Sequence, residues 1–187
     1  ATVYHGVGAA PSREEAAAGR GFLKRASERP FMFAAGGLRP YRGYEDVIGA
    51  LALLRDDGID LDLVIAGDVP RGMGFYKDSL ESLSIKTGVK DRIVWPGNLD
   101  AKQMSWCFFH CAAFVVTSRI EACPNTVLEA MSHGCVSVSI GEPPMPEIMA
   151  ESAPYYKKGD AVALARAPEG ARRVVGVGAQ ALRGSRQ

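Results

Sequence analysis

Two carboxylates, Glu121 and Glu129, stand with seven residues between them within SRIEACPNTVLEAMSHGC, residues 118–135. Pro124-Asn125-Thr126 lies between them and reads as a helix start, because proline has no N–H to leave unpaired in a first helical turn. The spacing predicts a helix from about 124 to 133. Its apolar stripe is expected to hold Val127, Leu128, Met131 and Cys135. Asn125, Thr126, Glu129, Ser132 and His133 recur at three- and four-residue intervals and are expected on the opposite face. Glu121 falls in the loop just ahead, near the unpaired amides of the helix end. Carboxylates held this way accept hydrogen bonds from hydroxyls, and free amides at a helix N-terminus attract an anion.

A second group of residues suits an anion as well. Gly36-Gly37-Leu38-Arg39-Pro40-Tyr41-Arg42-Gly43 joins an apolar run to a helical pattern. Glycines let the backbone come close to a phosphate, and the helix that follows adds a favourable dipole end. Arg39 and Arg42 can each add a charge-assisted contact through the planar guanidinium fork.

Such residues work only if a framework brings them together. Short apolar runs at 31–36, 61–66, 92–96, 112–117, 135–140 and 153–156 alternate with helical patterns near 43–56, 74–87, 100–110, 124–133, 144–150 and 160–166. The runs are continuous rather than alternating, which predicts parallel strands buried on both faces. In the first helix Val47, Leu51 and Leu54 share a stripe, with Ile48 beside it. The expectation is an α/β fold, a doubly wound parallel sheet with helices on both faces. Ligands of such sheets sit beyond the carboxyl ends of the strands, where both groups of residues fall.

Four blocks, FMFAAGGLRPYRGYEDVIGALALL (31–54), LDLVIAGDVP (61–70), RIVWPGNLD (92–100) and the segment 118–135, stand in a definite order. From about Val3 to Ala167 they resemble the C-terminal, donor-binding domain of retaining glycosyltransferases with the two-domain GT-B fold, in particular family 4. The paired carboxylates are similar to that family's Glu-x7-Glu motif. The resemblance implies a Rossmann-like half of an enzyme that moves a hexose from a nucleoside-diphosphate sugar to a hydroxyl acceptor, with no metal or other cofactor required. Gly36, Gly37, Arg39 and Arg42 would then meet the diphosphate, with the helix end at Asn125 and Thr126 as a second anion contact. Arg42 stands where the family usually has Lys, while its other common phosphate Arg aligns with Gly37, so Arg39 is the expected replacement. Glu129 would bind the ribose diol, and Asn98 and Leu99, in the loop from Trp95, would present backbone groups to the base. The donor is of UDP or GDP type by expectation, with uracil, guanine and adenine all open. Glu121 is placed nearest the sugar as the catalytic residue, positioning the donor and stabilising positive charge at the anomeric carbon.

Composition bounds these readings. With 187 residues, 47% apolar and 23% charged, the chain has the profile of a globular domain. A net charge of +1 gives no reason to expect nucleic acid as a partner. No apolar run approaches the roughly 20 residues of a membrane span. Cys107, Cys111, Cys123 and Cys135 lack metal or redox spacing and read as thiols of a cytoplasmic protein. Residues 1–30 read as an interdomain linker or N-terminal extension, 31–167 as the nucleotide-sugar-binding domain, and 168–187 as an irregular basic tail. The family's acceptor half, often with a catalytic histidine, has no counterpart before Phe31, so the chain is expected to be inactive without an N-terminal domain or an equivalent subunit. Two alternatives stay open at this level. One is a non-catalytic, regulatory nucleotide-sugar-binding module that pairs with a separate acceptor subunit. The other is a decayed site with no nucleotide affinity.

Overall fold

A computed structural model describes residues 10, 12, 29–121 and 124–167. Most of the linker, the tail and Cys123 lie outside the described residues. Six strands form one parallel sheet: β1 (Phe31–Ala35), β2 (Asp62–Ala66), β3 (Ile93–Gly97), β4 (Ala113–Val116), β5 (Ser137–Ile140) and β6 (Tyr155–Tyr156). Their spatial order is β3-β2-β1-β4-β5-β6. The helices are α1 (Tyr44–Asp56), α2 (Gly74–Lys86), α3 (Ala101–His110), α4 (Asn125–Ser132), α5 (Met145–Met149) and α6 (Ala161–Arg166). This is the expected doubly wound α/β arrangement.

Burial explains the strand composition. Every residue of β2, β4 and β5 is buried, and so are the first four of β1, whereas the edge strand β3 is mostly half-buried. Phe33, Phe108 and Phe114 meet at centroid distances of 5.3–5.7 Å in the middle of the core. Trp106 is buried and stacks on Phe31 and His110, with His110 Nδ1 bonded to the Trp106 carbonyl at 2.8 Å. Both residues are structural.

The helices obey local rules. Asp100 caps α3 through a capping box with Gln103, satisfying two amides at once. Helix α1 carries Glu45 and Asp46 in its first turn and Arg55 in its last, the order that the helix dipole favours. It buries Val47, Ile48, Leu51 and Leu54, the stripe the spacing predicts. Helix α4 departs from expectation. Val127 and Ala130 are its buried residues, Leu128 is half-buried, and Met131 is 38% exposed. The stripe fails because the helix lasts little more than two turns. Its contact with the sheet narrows to one i, i+3 pair, and Met131 falls outside it.

The strand order reverses between β1 and β4. The chain leaves β1 toward β2 on one side and leaves β4 toward β5 on the other, so the loops after these strands part and open a crevice.

Candidate functional site

The loop after β1 is shaped by close backbone approaches. Gly36 N donates to Ala66 O at 2.8 Å, Leu38 N to Asp68 O at 2.8 Å, and Gly67 N to Gly97 O at 2.8 Å. These bonds continue the sheet beyond the strand ends and tie three loops together. A Cβ on Gly67 would stand 2.1 Å from the Gly36 carbonyl oxygen, so no larger residue fits there. Pro40–Arg42 form a single 3-10 turn, after which Gly43, at φ 62, enters α1.

The turn aims Arg42 into the crevice. Its guanidinium forms an ion pair with Glu121, from the loop after β4, and the two side chains are only 22% and 13% exposed. Arg42 Nε is buried and has no acceptor among the described residues. Gly36 lies flush against the guanidinium, where a Cβ would come within 3.0 Å of Cζ and Nε. Thr117 Oγ1 donates to the Arg42 carbonyl, holding the two loops together. Tyr44, Thr117, Ser118 and Thr126 line the same small pocket as Arg42 and Glu121. Tyr44 is buried and its hydroxyl donates to the Gly36 carbonyl at 2.7 Å; burial raises its pKa well above the usual tyrosine range.

Behind this pocket runs a network of buried charge. Asp46, 5% exposed, accepts from Arg119 Nη2 at 3.4 Å, Tyr156 Oη at 3.3 Å and Gly159 N at 3.1 Å. Arg119 N donates in turn to the Tyr41 carbonyl at 2.8 Å. Arg119 therefore braces the β4 loop against the first turn of α1. Glu45 accepts from Tyr76 Oη at 3.0 Å, and the same oxygen accepts from Tyr44 N at 3.2 Å.

The predicted site residues separate into groups. Arg42, Glu121 and Thr126 come together in the pocket, with Gly36 against Arg42. Gly37 lies beside Asp68, whose Oδ1 would be 3.1 Å from an added Cβ. Arg39 is exposed at the start of the 3-10 turn and does not line the pocket. Asn98, exposed, and Leu99, packed against the core, follow the edge strand β3, two strands from the crevice. Asn125 is exposed in the first turn of α4, whose N-cap residue, Pro124, makes no side-chain cap hydrogen bond. Glu129 is half-buried one turn later, and its carboxylate has no protein partner among the described residues. Thr126 is half-buried and lines the pocket with Val127, while Asn125 is exposed.

Sequence reasoning passed over Tyr44, Asp46, Thr117, Arg119 and Tyr156. A carboxylate in the first turn of an apolar helix was the one signal for Asp46; its partners lie 73, 110 and 113 residues away, beyond any local pattern. One Asp-x-Asp pair also exists, Asp60 and Asp62, at the amino end of β2 opposite the crevice. Arg92 pairs with both of them, and Arg29 lies 3.6 Å from Asp60 and 3.8 Å from Asp62. Burial raises the Asp62 pKa against the pull of these arginines. Among the described residues no three His, Cys, Asp or Glu side chains are grouped to hold a metal ion, and no helix is long and apolar enough to cross a membrane.

Comparison with known proteins gives concordant results. The family model described as "Glycosyl transferases group 1" matches residues 18–167. An uncharacterized glycosyltransferase, YqgM of Bacillus subtilis, is 29% identical over 119 residues, 64% of this chain and 32% of that protein. The crystal structure of Anabaena Alr3699/HepE in complex with UDP and glucose superposes with a TM-score of 0.73 at 17% identity, covering 91% of this chain and 48% of that one. The C-terminal domain of the glycosyl transferase group 1 family protein LpcC from Francisella tularensis superposes with a TM-score of 0.66 at 18% identity, covering 98% and 95%. The chain thus spans a third to a half of the longer proteins it matches, and nearly all of an isolated C-terminal domain.

Proposed function

Because the chain belongs to the glycosyl transferases group 1 family, we propose that it is the donor-binding half of a retaining, metal-independent hexosyltransferase of family 4. On this reading it binds a nucleoside-diphosphate sugar and transfers nothing until an acceptor-binding half joins it. The observation that carries the proposal is the state of Arg42. A guanidinium nitrogen buried without an acceptor among the described residues, in the crevice where the strand order reverses, is a strong donor waiting for an anion. A diphosphate supplies that acceptor. Gly36, without a Cβ, lets the guanidinium take its place in the crevice.

The remaining roles follow from position. Gly37 offers backbone to the phosphates, and exposed Arg39 meets them from the rim. The N-terminal end of α4, at Asn125 and Thr126, faces the second phosphate. Glu129, unpartnered on the next turn, accepts from the ribose hydroxyls. Asn98 and Leu99 present backbone to the base. Glu121, at the mouth of the loop after β4, positions the hexose and stabilises the positive charge that develops at the anomeric carbon. The neighbour with UDP and glucose in its crystal structure supports a uridine donor, and the match to an isolated C-terminal domain supports a donor half. Cys107, Cys111 and Cys135 are free thiols, which suits the reducing cytoplasm this reading assigns.

The test is calorimetric titration of the chain with UDP, GDP and ADP without added metal. Binding of one nucleotide in the micromolar to millimolar range is expected and names the base. Absence of binding by all three overturns the proposal.

A further inference from the structure

Arg42 and Glu121 are both assigned to the donor, yet here they are bound to each other. The Glu121 carboxylate has no other protein donor among the described residues, and Arg42 has no other side-chain acceptor. Gly36, having no Cβ, leaves the guanidinium its place, since a Cβ there would come within 3.0 Å of Cζ and Nε. Any anion that enters the pocket therefore meets the guanidinium where Glu121 already holds it. A diphosphate and a carboxylate on one part-buried guanidinium repel each other, and the low local dielectric strengthens that repulsion.

We propose that the Arg42–Glu121 ion pair is a built-in competitor of the donor, so that binding of the diphosphate and release of Glu121 are a single exchange. The inference rests on the donor-site reading above and adds an order of events to it. In the free protein Glu121 pairs with Arg42 Nη1 and is held away from any sugar. The diphosphate takes over the guanidinium, and Glu121 leaves with its charge uncompensated. Sugar hydroxyls then supply the donors that Glu121 has lost. A nucleoside diphosphate without its sugar offers no such replacement, so the exchange taxes the product more than the donor. The same pair therefore keeps the catalytic carboxylate idle until a complete donor arrives.

The arithmetic is that of a competent state only fractionally populated. If the pair is closed in about nine molecules of ten, the apparent affinity for a nucleoside diphosphate is lowered about tenfold, and removing the competitor restores it. The experiment titrates the full chain and Glu121→Gln with UDP, GDP and ADP, then repeats both in an Arg42→Ala background. The expected result is about tenfold tighter binding in Glu121→Gln, with little or no gain from the same substitution when Arg42 is absent. Equal affinities of Glu121→Gln and the unaltered chain overturn the exchange and leave the donor site standing. An equal gain in both backgrounds also overturns it, since that is through-space charge rather than competition for Arg42. Failure of both proteins to bind any nucleotide removes the donor-site reading and this inference with it.

Discussion

Arg42 and Glu129 can be told apart by what each would touch. Arg42 offers an anion a buried Nε, unpartnered among the described residues, so Arg42→Ala should weaken nucleoside diphosphates and leave the free nucleoside nearly unaffected. Glu129 is proposed to meet the ribose and not a phosphate. Glu129→Ala should therefore weaken the nucleoside and its diphosphate alike, by about 1–3 kcal/mol, the usual cost of hydrogen bonds lost from a charged group. Titration of both variants with uridine and UDP, or the matching pair for another base, decides between them. Equal losses across the pair for Arg42→Ala would remove it from the phosphate, and unchanged affinities for Glu129→Ala would remove it from the ribose. The sequence points to these residues through the order and spacing of its blocks and not through residue type, since glycine, arginine and glutamate are common in turns and on surfaces. It was silent on Tyr44 and Thr117, whose residue types fit a core or a turn equally well and whose pocket contacts appear only once β1 and β4 lie side by side.

At the scale of elements, the crevice depends on two loops held at one separation, and Gly43 is where they touch. It adopts φ 62, and a Cβ there would stand 2.8 Å from the Thr117 carbonyl oxygen and 3.0 Å from Arg119 Nε. Gly43→Ala thus strains the backbone and pushes apart the loops that Arg119 and Thr117 join. The expected loss is about 1–3 kcal/mol of stability, together with weaker nucleotide binding. Gly58 is the control. It has φ 77 and nothing within 4 Å of an added Cβ, so Gly58→Ala should lose only the left-handed backbone penalty, about 1–2 kcal/mol, and leave binding intact. Denaturant melts of the two variants, paired with titration, separate strain from loop spreading. Equal binding by Gly43→Ala and the unaltered chain would mean that the contact does not set the crevice. Element positions were readable because each helix and strand is announced within its own length, by caps such as Asp100 and by continuous apolar runs such as LVIA. The face of α4 was not, because two turns of helix allow several nearly equivalent stripes. Tertiary contact chose Val127 and Ala130.

Over the whole molecule, ionisable groups buried in neutral form set the response to alkali. Tyr44, Tyr76 and Tyr156 are 2–3% exposed, and burial raises the pKa of each well above 10.0. The nearby carboxylates of Glu45, beside Tyr76, and Asp46, beside Tyr156, raise them further. Burial also raises the Cys107 thiol well above 9.0, while of Cys111 and Cys135, with sulfurs 3.3 Å apart, burial raises the first and the hydrogen bond from Cys111 lowers the second. For an acid whose pKa is raised by folding, the unfolded chain gives up its proton first. Stability is then complete below the unfolded pKa and falls as pH rises above it. The loss begins with Cys107 near pH 9, at about 1.4 kcal/mol per pH unit, and steepens to about 5 kcal/mol per unit once the three tyrosines titrate in the unfolded chain. A domain of ordinary stability should accordingly unfold between about pH 11 and 12. The measurement is the stability from urea melts between pH 8 and 11.5, for the unaltered chain and for Tyr156→Phe. The variant loses its hydroxyl bond to Asp46 and should be less stable at pH 7, yet its decline above pH 10 should be shallower by about 1.4 kcal/mol per unit. Identical slopes for the two proteins would mean that Tyr156 ionises as freely in the fold as outside it, and that the network around Asp46 is open to water.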